Sequence, residues 1–204
     1  SRRIQSLNSS LRMKSNILVH SGVYASKQRQ LTMNVMKRER TLLFVGHLDS
    51  SKGVQLAVEA MPIIIKAIRD AKLKIVGTGP MKRALEKQIA CAGLERSVDI
   101  VGHLPNYEDV LTIMTKSWVG LAPYAPDPTN ISVFADPAKP KEYLASGLPV
   151  IMTAVPEIAH EIAHSKAGII IAYDKQALAD AAINLLTNPG IYRKFRENAL
   201  NFAK

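Results

Sequence analysis

The chain has 204 residues, a formal net charge of +10 and 47% hydrophobic residues, which allows one good core and one main domain with appended pieces. A single cysteine, Cys91, excludes an internal disulfide framework and suits a reducing compartment. No apolar run approaches the roughly 18–20 residues of a spanning helix, and the basic N-terminal stretch has no apolar centre of the kind a signal peptide carries. The charge is uneven: the first forty residues hold nine Lys or Arg and one acid, leaving 18 basic against 16 acidic residues beyond. The main body is therefore nearly neutral. Its leading segment is a basic arm suited to solubility, a membrane surface or an acidic neighbouring domain. Without the interleaved aromatics of a single-strand binder, that arm predicts no nucleic-acid partner.

In chain order, Ile4, Leu7 and Leu11 have helical spacing, Asn16 to His20 reads as a brief strand, and residues 23–40 form a polar, basic connector. From Thr41 the rhythm changes. Thr41 to Val45 is a buried-strand run, and a loop from Gly46 to Gly53 leads into an apolar-faced helix from about Val54 to Arg69, with a kink or break expected at Pro62. Strands follow at Leu73 to Val76, Val98 to Val101 and Trp118 to Ala122, alternating with helices at Met81 to Ala92 and Tyr107 to Lys116. A loop from Pro123 to Ala135 comes next. After it stand a short helix, a strand at Val150 to Thr153, a short helix beyond Pro156, a strand at Gly168 to Ala172, and helices at Gln176 to Thr187 and Ile191 to Ala203. Near-continuous apolar strands alternating with helices predict an α/β fold, a Rossmann-like parallel sheet with helices on both faces. Ligands in such sheets bind at the carboxyl ends of the strands, and the loops there that begin at Gly46, Gly77 and Gly102 allow close backbone approach.

The stretch from Asp136 to Thr153 compresses a loop end, a helix and a buried strand into eighteen residues. Asp136 is expected as N-cap, Pro137 as first helical residue and Gly147 as the stop, with Pro149 opening the strand. Lys139 and Lys141 in the first turn have the wrong sign for a helix N-terminus, where the backbone already favours anions. Such a site suits phosphate, with Glu142 placed to accept from sugar hydroxyls. A solvated lysine pair on a surface helix is the equally open alternative.

Other motifs carry less. Gly46 to Gly53 misses the P-loop because Ser51 stands in place of the second glycine and Gly53 in place of the hydroxyl residue, although Lys52 at a helix start still suits a phosphate. Gly77-Thr-Gly79-Pro80 lacks the third glycine of the dinucleotide fingerprint. His160-Glu161-Ile-Ala-His164 spells a zinc motif, but a helix confined between Pro156 and Gly168 and Ala167 in the place of the metzincin glycine favour a solvated face, so no metal is expected. His20 and His103 read as strand-end structural residues, and Cys91 as core.

Taken in order, Val45-Gly46-His47-Leu48 with Ser51-Lys52-Gly53, Ile75 to Pro80, Val101-Gly-His103, Leu121-Ala-Pro123 and Glu142 to Ile151 resemble the C-terminal nucleotide-sugar domain of retaining family 4 glycosyltransferases. That family has the GT-B fold. The likeness covers residues 41–187, with 188–204 as a C-terminal helix, 1–22 similar to the end of the acceptor-side domain, and 23–40 the interdomain connector. It implies that Lys52 and His47 contact the donor diphosphate and take part in catalysis, that Glu142 binds the ribose, and that His103 and Leu104 lie by the base. Backbone at Ala138 and Lys139 would cradle phosphate, and Gly46, Gly77 and Gly79 would line the donor site.

Two departures stand out. The family usually has arginine where this chain has His47, which makes the expected clamp weaker or pH-dependent, and a glutamate where it has Phe134; Asp136-Pro-Ala-Lys139 is similar to a replacement pattern found in some members. The resemblance implies a transferase moving sugar from a nucleoside diphosphate sugar, with no cofactor, onto a saccharide or lipid-linked acceptor held by an N-terminal domain. A cytoplasmic location, with peripheral membrane contact through the basic arm, fits that reading. A nucleotide-sugar epimerase and a non-catalytic nucleotide-sugar module remain the alternatives, the second favoured by Phe134.

Overall fold

The computed structural model describes residues 39–127 and 137–203. The expected elements of residues 1–38, together with His20, Phe134 and Asp136, lie outside the described residues. Six strands, β1 (Thr41–Val45), β2 (Lys72–Val76), β3 (Val98–Gly102), β4 (Val119–Ala122), β5 (Val150–Thr153) and β6 (Gly168–Ile171), form one sheet in the order β3-β2-β1-β4-β5-β6. Every pairing is parallel. The order reverses between β1 and β4, which makes the carboxyl end of β1 the topological switch point.

The connections are the helices α1 (Val54–Ala67), α2 (Lys82–Cys91), α3 (Tyr107–Lys116), α4 (Ala138–Ala145), α5 (Ile158–His164), α6 (Lys175–Thr187) and α7 (Pro189–Phe202). Alternate strand residues feed opposite cores, as the two-residue period requires. Leu42, Phe44, Leu73 and Ile75 pack with Met61 and Ile64 of α1, Leu85 of α2 and Leu185 of α6. Leu43, Val45, Val76 and Val150 pack instead with Met114 of α3, Tyr143 and Leu144 of α4, and Ile162 of α5. Helices therefore cover both faces. This is the Rossmann-like α/β architecture that the strand and helix pattern predicts.

Several local expectations change. Helix α1 runs unbroken through Pro62, whose ring sits on its exposed side. A proline inside a helix costs ~3 kcal/mol, but the buried stripe of Val54, Val58, Met61 and Ile64 outweighs it at ~1.5–3 kcal/mol per large side chain. Cys91, expected in the core, is exposed. The inward face of α2 is set by Leu85 and Ile89, and two residues beyond Ile89 the helix has turned its side chain outward. Pro137 is the N-cap of α4 rather than its first helical residue, so the helix starts at Ala138. Gly147 does end it, at φ +67°, the left-handed conformation usual just past a C-cap. The loop after β1 contains a turn of 3-10 helix, Ser50–Lys52, capped by the Asp49 carboxylate.

Helix α7 closes the lower part of the domain. Trp118 and Tyr192 stack with ring centroids 4.4 Å apart, and the Trp118 indole donates to the Leu185 carbonyl at 3.2 Å. Further along α7, Ala199 is buried and Leu200 lies against Gly147, so the last helix backs α4.

Candidate functional site

At the carboxyl ends of β1, β2 and β3 the loops enclose an open cleft of ≈ 390 Å³. Gly46 and His47 form one wall, Gly77 and Thr78 the next, His103, Leu104 and Tyr107 a third, and Lys139 of α4 closes the fourth side. Residues scattered over nearly a hundred positions meet here because parallel strands in register deliver their following loops to one edge.

The β1 and β2 loops are tied to each other. The Gly46 amide donates to the Val76 carbonyl at 3.0 Å, the Leu48 amide to the Thr78 carbonyl at 3.0 Å, and the Met81 amide to the Leu48 carbonyl at 2.9 Å. Glycines permit this. A Cβ on Gly77, whose φ is +141°, would lie 1.9 Å from the Gly46 carbonyl oxygen, and one on Gly79 would lie 2.5 Å from that of Leu48. Both glycines thus make room for a neighbouring loop. Gly77 also lines the cleft, whereas Gly79 is not among its wall residues.

Helix α4 carries the polar chemistry. Its N-cap is a proline with no side-chain cap, and an eight-residue helix presents its first amides there. Lys139 Nζ bonds Glu142 Oε2 at 2.7 Å and lies 5.7 Å from the centre of the Tyr107 ring. The Tyr107 hydroxyl donates to the same Oε2 at 3.1 Å. Glu142 is therefore joined to two cleft-lining residues without itself being one, and Ala138, exposed at the helix start, is also outside the wall.

Tyr143, next along, anchors the helix. It is fully buried, and its hydroxyl accepts the Val45 amide at 2.7 Å, where β1 has run past the last residue paired to β4. Burial pushes the Tyr143 phenol well above its ordinary range, so it stays a neutral partner at any physiological pH.

Lys52 lies elsewhere. It is outside the cleft wall, with Nζ 5.5 Å from the centre of the Tyr124 ring beyond β4. Asp49 accepts from the Ser51 and Lys52 amides at 2.9 and 3.2 Å and from the Ser51 hydroxyl, so this turn spends its amides internally and can offer a ligand mainly the lysine side chain. His160 and His164 are both exposed on the seven-residue α5, the solvated face expected of them.

Of the residues named from sequence, the structure gathers Gly46, His47, Gly77, His103, Leu104 and Lys139 around one cleft. Tyr107, Thr78, Asp49 and Tyr143 were not singled out. Asp49 had a readable signal, an Asp two residues before a Ser-Lys turn. The two tyrosines had none, because their partners are 35 and 98 residues away.

Residues 39–188 match the family described as glycosyl transferases group 1. The chain belongs to that family. It is 28% identical over 174 residues to the uncharacterized glycosyltransferase MJ1607 of Methanocaldococcus jannaschii, covering 85% of this chain and 41% of that protein. It is 26% identical over 171 residues to the lipopolysaccharide glucosyltransferase WaaG of Escherichia coli, covering 83% of this chain and 43% of that one. The crystal structure of WaaG superposes with a TM-score of 0.68 over 88% of this chain and 46% of its own. Anabaena Alr3699/HepE, solved in complex with UDP, shares the fold at 20% identity and a TM-score of 0.66, over 88% of this chain and 47% of that one. The chain thus spans less than half the length of these relatives. Among the described residues no helix is long and apolar enough to cross a membrane.

Proposed function

We propose that this chain is the donor-binding part of a retaining, family 4 type glycosyltransferase, which moves a sugar from a nucleoside diphosphate sugar to an acceptor held by a second domain. The observation that carries the reading is the cleft at the ends of β1, β2 and β3, where Lys139 from the first turn of α4 and two histidines line one space. Its chemistry suits a diphosphate: amides and cations stabilise the negative charge that grows on the leaving group, the electrostatic route to such transition states. In this mechanism His47 and the amides at Ala138 and Lys139 hold the diphosphate, and Lys52 reaches it from the β4 side. Glu142 takes the ribose, and His103 and Leu104 flank the base. These groups do the work without a metal or cofactor. The acceptor, a saccharide or a lipid-linked one, belongs to the acceptor-side domain, and a peripheral membrane contact belongs to the basic arm. The family match favours transfer over an epimerase or a binding module.

A calorimetric panel of UDP, GDP, ADP and their sugars tests this reading. One nucleotide series is expected to bind, with no sugar transfer by this chain alone, because the cleft that orients the acceptor is incomplete. Lys52→Ala should weaken binding at every pH by about 1.5–3 kcal/mol, the scale of one charge-assisted hydrogen bond. No binding by any member of the panel would refute the reading.

His47 lines the cleft, so its charge is the natural variable to change. His47→Arg should raise affinity for a nucleotide sugar, since a guanidinium is permanently charged and presents a fork of donors to a diphosphate. An unchanged affinity in that variant would remove His47 from the clamp.

A further inference from the structure

We infer that Tyr107 is a positioning residue for the donor's ribose: it fixes Glu142 so that one carboxylate oxygen faces the sugar hydroxyls. The inference rests on the donor-site reading above and adds a residue to it. Three observations meet at this point. The Tyr107 hydroxyl and the Lys139 ammonium both bond the same atom, Glu142 Oε2, at 3.1 and 2.7 Å. Among the described residues Oε1 accepts from neither of them, and the Glu142 side chain is 23% exposed. Tyr107 and Lys139 themselves line the cleft.

Two donors on one oxygen fix the carboxylate plane more tightly than one can. Lys139 alone does so poorly: its ammonium is a point charge on a flexible stem and follows the carboxylate through many geometries. Tyr107 is the stiff member of the pair, with two side-chain torsions and a place in the first turn of α3, beside the buried Val110. Lys139 also lines the cleft in which the donor diphosphate is proposed to bind. When a diphosphate arrives, the lysine is drawn towards the new charge, and the phenol is left as the donor that keeps Glu142 aimed. A ribose offers vicinal hydroxyls, and a carboxylate oxygen held in place accepts from them in a way that a nucleotide lacking those hydroxyls cannot reproduce.

Calorimetry on this chain tests the inference with UDP against 2′,3′-dideoxy-UDP, and with the corresponding GDP and ADP pairs. The unsubstituted chain is expected to prefer the ribonucleotide by roughly tenfold or more, the scale of a hydrogen bond to a charged group. Glu142→Ala should abolish that preference. Tyr107→Phe, which keeps the ring in the cleft wall and removes only the hydroxyl, should reduce the preference severalfold, the loss falling mainly on the ribonucleotide. A merely structural tyrosine would move both affinities together. If Glu142→Ala abolishes the preference and Tyr107→Phe keeps it whole, the role of Tyr107 is overturned and the donor-site reading stands. If Glu142→Ala also leaves the preference intact, or no pair binds, the ribose assignment fails and the role of Tyr107 fails with it.

Discussion

Tyr143→Ala is expected to destabilise the domain by about 3–5 kcal/mol in chemical denaturation, the range for truncating a buried aromatic ring. The side chain is fully buried, and it fills the space that opens above Gly120, where an added Cβ would lie 2.5 Å from the Tyr143 ring. Tyr143→Phe separates the two parts of its role. It keeps the ring and removes the acceptor for the Val45 amide, a buried group that then costs ~1–3 kcal/mol unsatisfied. The same bond ties α4 to the end of β1, so donor affinity should fall with stability in Tyr143→Phe. A phenylalanine variant as stable as the unsubstituted chain would mean that water or a shifted carbonyl serves Val45 equally well.

Gly77→Ala should be worse per atom added. Its backbone sits at φ +141°, where an L side chain is strained, and its Cβ would fall 1.9 Å from the carbonyl oxygen of Gly46. Neither atom belongs to a flexible side chain. The loops after β1 and β2 must separate to admit the methyl group, straining the bonds from the Gly46 amide to the Val76 carbonyl and from the Leu48 amide to the Thr78 carbonyl that tie them together. A loss of about 3 kcal/mol or more follows, or no folded protein at all. Gly46→Ala is the matched control. Its Cβ would meet only the Phe44 ring, at 3.5 Å, an ordinary contact, so its stability should stay within about 1 kcal/mol of the unsubstituted chain. Equal losses in the two variants would show that the packing between these loops is not what requires glycine at Gly77.

The elements themselves were legible in the amino-acid order. Helix α3 spans Tyr107–Lys116 and strand β5 spans Val150–Thr153, the limits that periodicity and flanking breakers predict. The parallel sheet followed from apolar runs alternating with helical patterns, since strands buried on both faces have few polar positions to spare. Gly147 could be read as a helix stop because its reason is local, a left-handed backbone just past the helix end. Pro62 and Cys91 could not be read. At Pro62 a helix-breaking residue is overruled by the buried stripe of Val54, Val58, Met61 and Ile64, and at Cys91 an apolar side chain is turned outward by a helix whose inward face is set two residues earlier.

The site divides in the same way. Lysines at the start of α4 and glycines at strand ends are the local signals from which an anion-binding edge is proposed, because helix termini and glycine loops have the same chemistry wherever they occur. What the amino-acid order determined, then, is the set of strands and helices and the sign of charge at their ends, all settled by contacts a few residues apart. The tertiary structure decided that the Tyr107 hydroxyl meets Glu142, that Tyr143 closes the end of β1, that Gly77 and Gly79 yield to a neighbouring loop, and that Lys52 stands across the switch point from the cleft. Those contacts depend on the order and register of parallel strands, which bring together loops tens of residues apart, and no local pattern records which loops will become neighbours.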